Sequence, residues 1–370
     1  MSTPATDCRP ERMARIYFVQ WLRVFLISLV VAHHAAQPYG PTGGEWPVDD
    51  PANTGWLGPF FGLNAAYFMG FFFLIAGYFT PMSFDRKGAS AFVLDRLIRL
   101  GIPLLFFVFV VFAALAYFDQ PDGFFSFYLF SYVGRWQIEM GHLWFVAQLL
   151  VFGLLYALWR RFLASRGRSD DRVFAPPGDA SILAYAVALA LVDVLVRTAY
   201  PQDTWVRILW LVRAEPAHLP QYASLFIIGI VAGRSGWLQR IGAAVGARWF
   251  AIGVVAFLIA GSRRDIFPFL DPELSWGFLE AFVCVGMILG LTVFFRRYCD
   301  RPGRWLDRLD ENVYGVYLIH VFVVVALQMA ILALPLPATA KFLIVTAAGI
   351  VISFALVAAL RRIPAVRRVV

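Results

Sequence analysis

Apolar stretches long enough to cross a bilayer recur from Ile16 onward, separated by short polar segments rich in Arg, Gly and Pro. Mostly apolar runs occupy roughly 16–36, 60–80, 98–118, 142–162, 180–199, 218–234, 247–262, 276–296, 313–333 and 339–360. Each is close to the roughly 20 residues that a spanning helix needs. The sixth and seventh are the weakest, being short and interrupted by Gly and Arg. The pattern predicts an all-α fold, a polytopic membrane helical bundle of about ten transmembrane helices. One domain over 16–360 is expected, with a tail at 1–15 and a basic tail at 361–370. No linker rich in Pro, Gly or Ser divides the chain, and there is no internal repeat. The longest connections, 37–59 and 119–141, are rich in aromatic, Pro and Gly residues and are suited to cover an outward-facing site.

Composition agrees with this pattern. Hydrophobic residues make up 60% of the 370 and charged residues only 15%, with 36 Phe and a mean hydropathy of +0.69. Lipid must therefore supply part of the solvent. The net charge of +8 is not a nucleic-acid footprint, because the basic residues, all Arg except Lys87 and Lys341, sit mainly in loops between apolar runs. Counted on alternating sides of the map, 24 lie on the side of the two tails. The other side holds Arg135, Arg197, Arg207, Arg213, Arg263 and Arg264, and Arg23 and Lys341 lie within or at the edge of spans. The positive-inside rule then makes both termini cytoplasmic and the number of spans even. Arg9, Arg12 and Arg15 before an apolar core at 24–32 would suit a cleaved signal peptide, but Arg23 and the pair His33-His34 fit a retained helix better. Cys8, Cys284 and Cys299 form neither a disulfide framework nor a metal-ligand spacing, so no disulfide and no metal are expected.

Ionisable residues within spans are costly and by default mark a site or a pathway. Arg23 and His34 are eleven residues apart, about three turns plus 20°, so they share one face of the first span about 16 Å apart along its axis. His33 is expected to point elsewhere, and His34 could alternatively cap the helix near the headgroups. Arg96 and Arg99 enter the third span three residues apart, as neighbours suited to a phosphorylated ligand, although a cytoplasmic helix entrance attracts arginines in any case. His142 beside Trp144 opens the fourth span. Tyr317 and His320 are one turn apart in the ninth, where His320 could equally be a packing residue. Asp193 has Arg197 four residues on and is expected to pair with it. Glu280 has no local partner and is a candidate to orient or charge-balance an imidazole such as His34. A neutral imidazole can deprotonate a hydroxyl that attacks a thioester, or take the acyl group itself. No G-x-S-x-G, Walker-type or zinc-binding pattern offers competing chemistry.

Arg23-x10-His34, Phe72-Phe73-Leu74-Ile75-Ala76-Gly77-Tyr78, Arg96-x-x-Arg99, His142-Leu143-Trp144-Phe145 and Tyr314-Gly315-Val316-Tyr317-Leu318-Ile319-His320 together resemble the acyltransferase 3 family, in order and over essentially the whole chain. The resemblance implies ten membrane helices. It also implies transfer of acetyl, succinyl or related groups from cytoplasmic acyl-CoA to exported glycans, lipids or antibiotics. His34 would be the catalytic residue, and Arg96 and Arg99 would meet the donor's phosphates. The Trp21-Leu22-Arg23 start of the first motif and the His-Leu-Trp-Phe run look most like the branch that succinylates periplasmic glucans. Gln20 stands where members commonly have Asp, which would leave Arg23 without that partner, Ala76 stands for Ser, and Gln148 and Leu149 stand where the O-antigen-acetylating branch has Glu.

The expectation is an integral-membrane acyltransferase whose partners are the lipid bilayer, acyl-CoA as co-substrate with no bound cofactor, and a saccharide acceptor admitted past His142. The expected location is the bacterial cytoplasmic membrane. Two other readings stand beside it: a transporter or exporter of a glycan, lipid or organic anion with the buried His and Arg along its path, and an inactive family member, favoured by Gln20.

Overall fold

The structure, a computed structural model, describes residues 16–41, 46–117, 123–135, 137–168, 172–208, 212–266, 268–269 and 271–370. The expected tail at 1–15, with Cys8 and its arginines, lies outside the described residues, as does part of the 119–141 connection. The long helices are α1 (Tyr17–Ala36), α2 (Leu57–Lys87), α3 (Ala89–Tyr117), α4 (Trp144–Ser165), α5 (Asp179–Arg197), α6 (Leu219–Ser235) and α7 (Ala243–Gly261). Then follow α8 (Pro272–Tyr298), α9 (Leu306–Ile331), α10 (Ala338–Leu360) and the short α11 (Pro364–Val369). Among the described residues nine helices are long and apolar enough to cross a membrane. The weak sixth run forms α6, whose 17 residues sit at the lower limit of spanning length. The seventh forms an uninterrupted helix, α7, because its glycines serve packing rather than breaking it.

Glycine marks the close approaches. A methyl group on Gly77 would collide with the Phe226 carbonyl, and one on Gly229 or Gly233 with the Leu74 or Tyr78 carbonyl, so α2 and α6 touch backbone to backbone. Gly253 and Gly286 bring α7 and α8 together in the same way. Gly88 and Gly236 adopt positive φ at helix ends, where a side chain would be strained. In α3 two π-helical stretches occur, Leu97–Gly101 and Phe107–Phe112, the first starting directly after Arg96.

Helix α1 packs against α2, α8, α9 and α10, so both its apolar and its polar residues face protein. The helices α5, α7 and α10 instead expose large apolar side chains such as Leu195, Leu258 and Val351, the surface expected against lipid tails. At the end of the bundle where α1 and α9 begin, Trp21 donates to the Arg301 carbonyl (3.4 Å), Tyr314 to the Arg99 carbonyl (2.7 Å) and Arg361 to Asn312 (2.9 Å). At the opposite end a two-stranded antiparallel ribbon, β1 (Val206–Ile208) with β2 (Val212–Ala214), joins α5 to α6. There Arg213 pairs with Glu139 at 2.9 Å, tying the ribbon to the segment before His142.

Candidate active site

The chain has five histidines, and the fold gathers all of them at one place near the ribbon end. His33, His34, His142 and His218 line a cavity of about 160 Å³ with Trp144, Gln202, Asp203, Glu215, Tyr222 and Tyr317. His320 adjoins it, its ring 4.9 Å from that of His34 and 5.1 Å from that of His142.

Hydrogen bonding assigns the protons of the central imidazoles. His320 Nδ1 lies 2.8 Å from the Tyr317 carbonyl and 3.2 Å from that of Val316. Both are pure acceptors, so Nδ1 carries the proton and Nε2 accepts. His34 Nδ1 is 3.2 Å from that Nε2 and 3.0 Å from the Val30 carbonyl. It too must donate, which leaves His34 Nε2 as the basic nitrogen. His142 Nε2 lies 3.1 Å from the Leu318 carbonyl, so its Nδ1 is the acceptor, buried and without a partner. Tyr317 donates its hydroxyl to the His142 carbonyl. Among the described residues no three His, Cys, Asp or Glu side chains are grouped to hold a metal ion. Over this cluster Trp46 lies 5.5 Å from the His34 ring. Its indole donates to Gln328 (2.8 Å), whose amide in turn donates to the His34 carbonyl (3.0 Å).

The second wall is charged. His218 has Glu215 at 2.7 Å on Nδ1 and Glu280 at 3.1 Å on Nε2. With a carboxylate on each nitrogen the ring holds both protons. Arg197 closes the group on the other oxygen of Glu280, so two buried cations and two buried carboxylates compensate one another. Burial alone would raise the Glu215 carboxyl. The adjacent His218 and the Asp203 amide, 2.8 Å away, outweigh it and hold this carboxyl below the usual carboxylate range.

Several expectations change. His33 does not point away from the site: because helices enclose α1, a position 100° from His34 also faces the cavity, between Phe61 and Phe68 at 5.1 Å each. Glu280 does orient an imidazole, but it is His218 rather than His34. Asp193 forms no ion pair with Arg197, which turns to Glu280, and Asp193 keeps a buried oxygen without a partner. Arg23 does have a carboxylate, Asp310 of α9 at 2.9 Å, and Gln20 donates to the same Asp310 at 3.3 Å. The partner lost from position 20 is thus supplied across the helix interface.

Arg96 and Arg99 stand apart from the cavity. Arg96 lies over the Phe92 ring (5.0 Å) and against Gly153, eleven residues along α4 from His142, or about 16 Å. Arg99 is largely exposed and 3.4 Å from Asp95, so the two share a helix entrance but not an environment. Trp144 lines the cavity and stacks on Tyr222 at 5.5 Å. The residues that sequence reasoning passed over are Asp203, Glu215 and His218. Their one signal was Glu215-x-x-His218 just before a short span, in a chain with few histidines.

A family model described as an acyltransferase domain matches residues 16–358. The chain is 34% identical over 91 residues to glucans biosynthesis protein C of Salmonella schwarzengrund (strain CVM19633), and equally to that of Salmonella typhi; the match covers 25% of this chain and 23% of either relative. The chain thus spans about a quarter of the length of the curated relatives it matches. No solved structure matches it. Because the family match runs from the start of α1 into α10, the chain belongs to the acyltransferase 3 family and is a multi-pass integral membrane protein.

Proposed function

We propose that the protein transfers an acyl group from cytoplasmic acyl-CoA to a hydroxyl of an exported saccharide, with both termini cytoplasmic, in a bacterial cytoplasmic membrane. The observation that carries this reading is the His34–His320 hydrogen bond, which leaves His34 Nε2 as a base at a cavity within the bundle. The relatives' name, glucans biosynthesis protein C, supports a saccharide as acceptor, and Trp144 on Tyr222 offers an aromatic face to a sugar ring.

The acceptor hydroxyl oxygen attacks the thioester carbonyl while His34 Nε2 takes the hydroxyl proton. The carbon–sulfur bond then breaks, and the proton passes to the departing CoA thiolate, restoring neutral His34. The charge gained in between is met by the Val30 carbonyl and His320 Nε2, both on His34 Nδ1. Arg96 and Arg99 take the phosphates of the donor, whose pantetheine arm bridges the roughly 16 Å to the cavity.

Labelled acetyl-CoA and succinyl-CoA, each added outside inside-out or right-side-out vesicles that enclose a soluble glucan, test this. Label should reach the glucan only when the donor meets the cytoplasmic face. His34→Gln should lower transfer on the order of 10² to 10⁴-fold. Unchanged transfer by a normally inserted His34→Gln would end the proposal.

A further inference from the structure

The cavity wall opposite His34 has features that simple acyl transfer does not use. Asp203 is the one non-glycine residue with positive φ among the described residues, at 63°. Such a backbone costs energy and persists where neighbours enforce it. They do so here: the Asp203 amide donates to Glu215 at 2.8 Å, and the Gln202 amide donates to Glu273. Glu215 is itself fixed by His218. The compensated ion group thereby holds a strained turn with the Asp203 carboxylate at the cavity.

The His142 Nδ1 lone pair is buried with no donor to meet it, in a residue that is only 8% exposed. An unmet buried acceptor is costly unless a ligand supplies a donor. His34 Nε2 presents a further lone pair, and Asp203 and Glu215 present carboxylates. Of the cations nearby, His218 is held between Glu215 and Glu280, and Arg197, bound to Glu280 through one nitrogen, is not among the residues that line the cavity, so the wall offers an anion no uncompensated cation. A cavity of about 160 Å³ admits one ring-sized group, since an engineered cavity of about 150 Å³ holds benzene.

We propose that Asp203, with Glu215 and His142, forms the acceptor subsite, that this subsite takes one uncharged, hydroxyl-bearing sugar ring by accepting its hydroxyl protons, and that it turns away anionic rings. The proposal rests on the reading of a saccharide acceptor given above. Asp203 positions the ring so that one hydroxyl faces His34, and the aromatic wall of Trp144 and Tyr222 carries the ring face. An anionic ring would instead bring a carboxylate to Asp203 and Glu215 with no cation to offset it.

The test uses the full chain in vesicles with a neutral glucan and the same glucan carboxymethylated. Asp203→Asn keeps a residue that tolerates positive φ, and Asp203→Gly relieves the strain while removing the carboxylate. Both variants should raise the acceptor KM about 10-fold or more and leave the acyl-CoA KM unchanged. The unaltered chain should favour the neutral glucan, and Asp203→Asn should narrow that preference. A merely structural turn predicts that Asp203→Gly retains the acceptor KM, and that result would overturn the proposal. So would equal use of both glucans by the unaltered chain. Failure of the unaltered chain to acylate any saccharide would overturn the saccharide reading as well, which separates the two outcomes.

Discussion

His320 helps to fix the tautomer of His34. Without the acceptor at 3.2 Å, His34 Nδ1 keeps only the Val30 carbonyl, and the two tautomers become closer in energy. His320→Phe fills a similar volume but removes that acceptor. It should lower turnover about 10-fold or more with little change in the acyl-CoA KM, read from initial rates in vesicles. Retained turnover would show that Val30 alone suffices. Side-chain placement was legible in the sequence where one helix carries both members of a pattern, as with Arg23 and His34, which both meet α9. They were not legible where a partner comes from afar. Nothing local to Gln20 announces Asp310, and nothing local to His218 announces Glu280, because such contacts depend on how helices are packed and not on their own period.

Helix positions were the most legible part of the chain, since each of the ten apolar runs lies within or overlaps a helix, with ends shifted by as many as nine residues at the start of α3. Packing between helices was legible only in part. Gly229 and Gly233 stand four apart, the spacing that lets helix backbones approach, yet the partner residue Gly77 and its register cannot be read from α6 alone. Gly229→Leu would force α6 away from α2 and with it Tyr222 and Gln221, the latter bonded to the Ala66 carbonyl at 2.6 Å. The expected outcome is a thermal midpoint in detergent lower by several degrees and a reduced folded yield, since overpacking typically costs about 1–3 kcal/mol. Gly55→Ala is the control, because a methyl there meets nothing within 4 Å. Equal midpoints for both variants would mean that the α2–α6 contact is not tight.

Across the whole molecule, the polar residues of α1 are answered by α9: Arg23 by Asp310, His34 by His320, and the His34 carbonyl by Gln328. Among the nine candidate spans α1 has the lowest mean hydropathy, 1.4 against 1.7 or more for the others, so it depends on these contacts more than its neighbours do. A chain cut before α9 should therefore be degraded faster than one cut between α10 and α11, as measured by pulse-chase turnover. Equal half-lives would show that α1 is secure in lipid without α9. The partners lie 286 and 294 residues apart in sequence. At about 5–20 residues per second, translation needs roughly 15 to 60 s to bring α9 to a waiting α1. Biogenesis thus has a built-in delay during which the first helix is made but unfinished, and no nascent chain can complete the His34–His320 pair before most of the polypeptide has emerged from the ribosome.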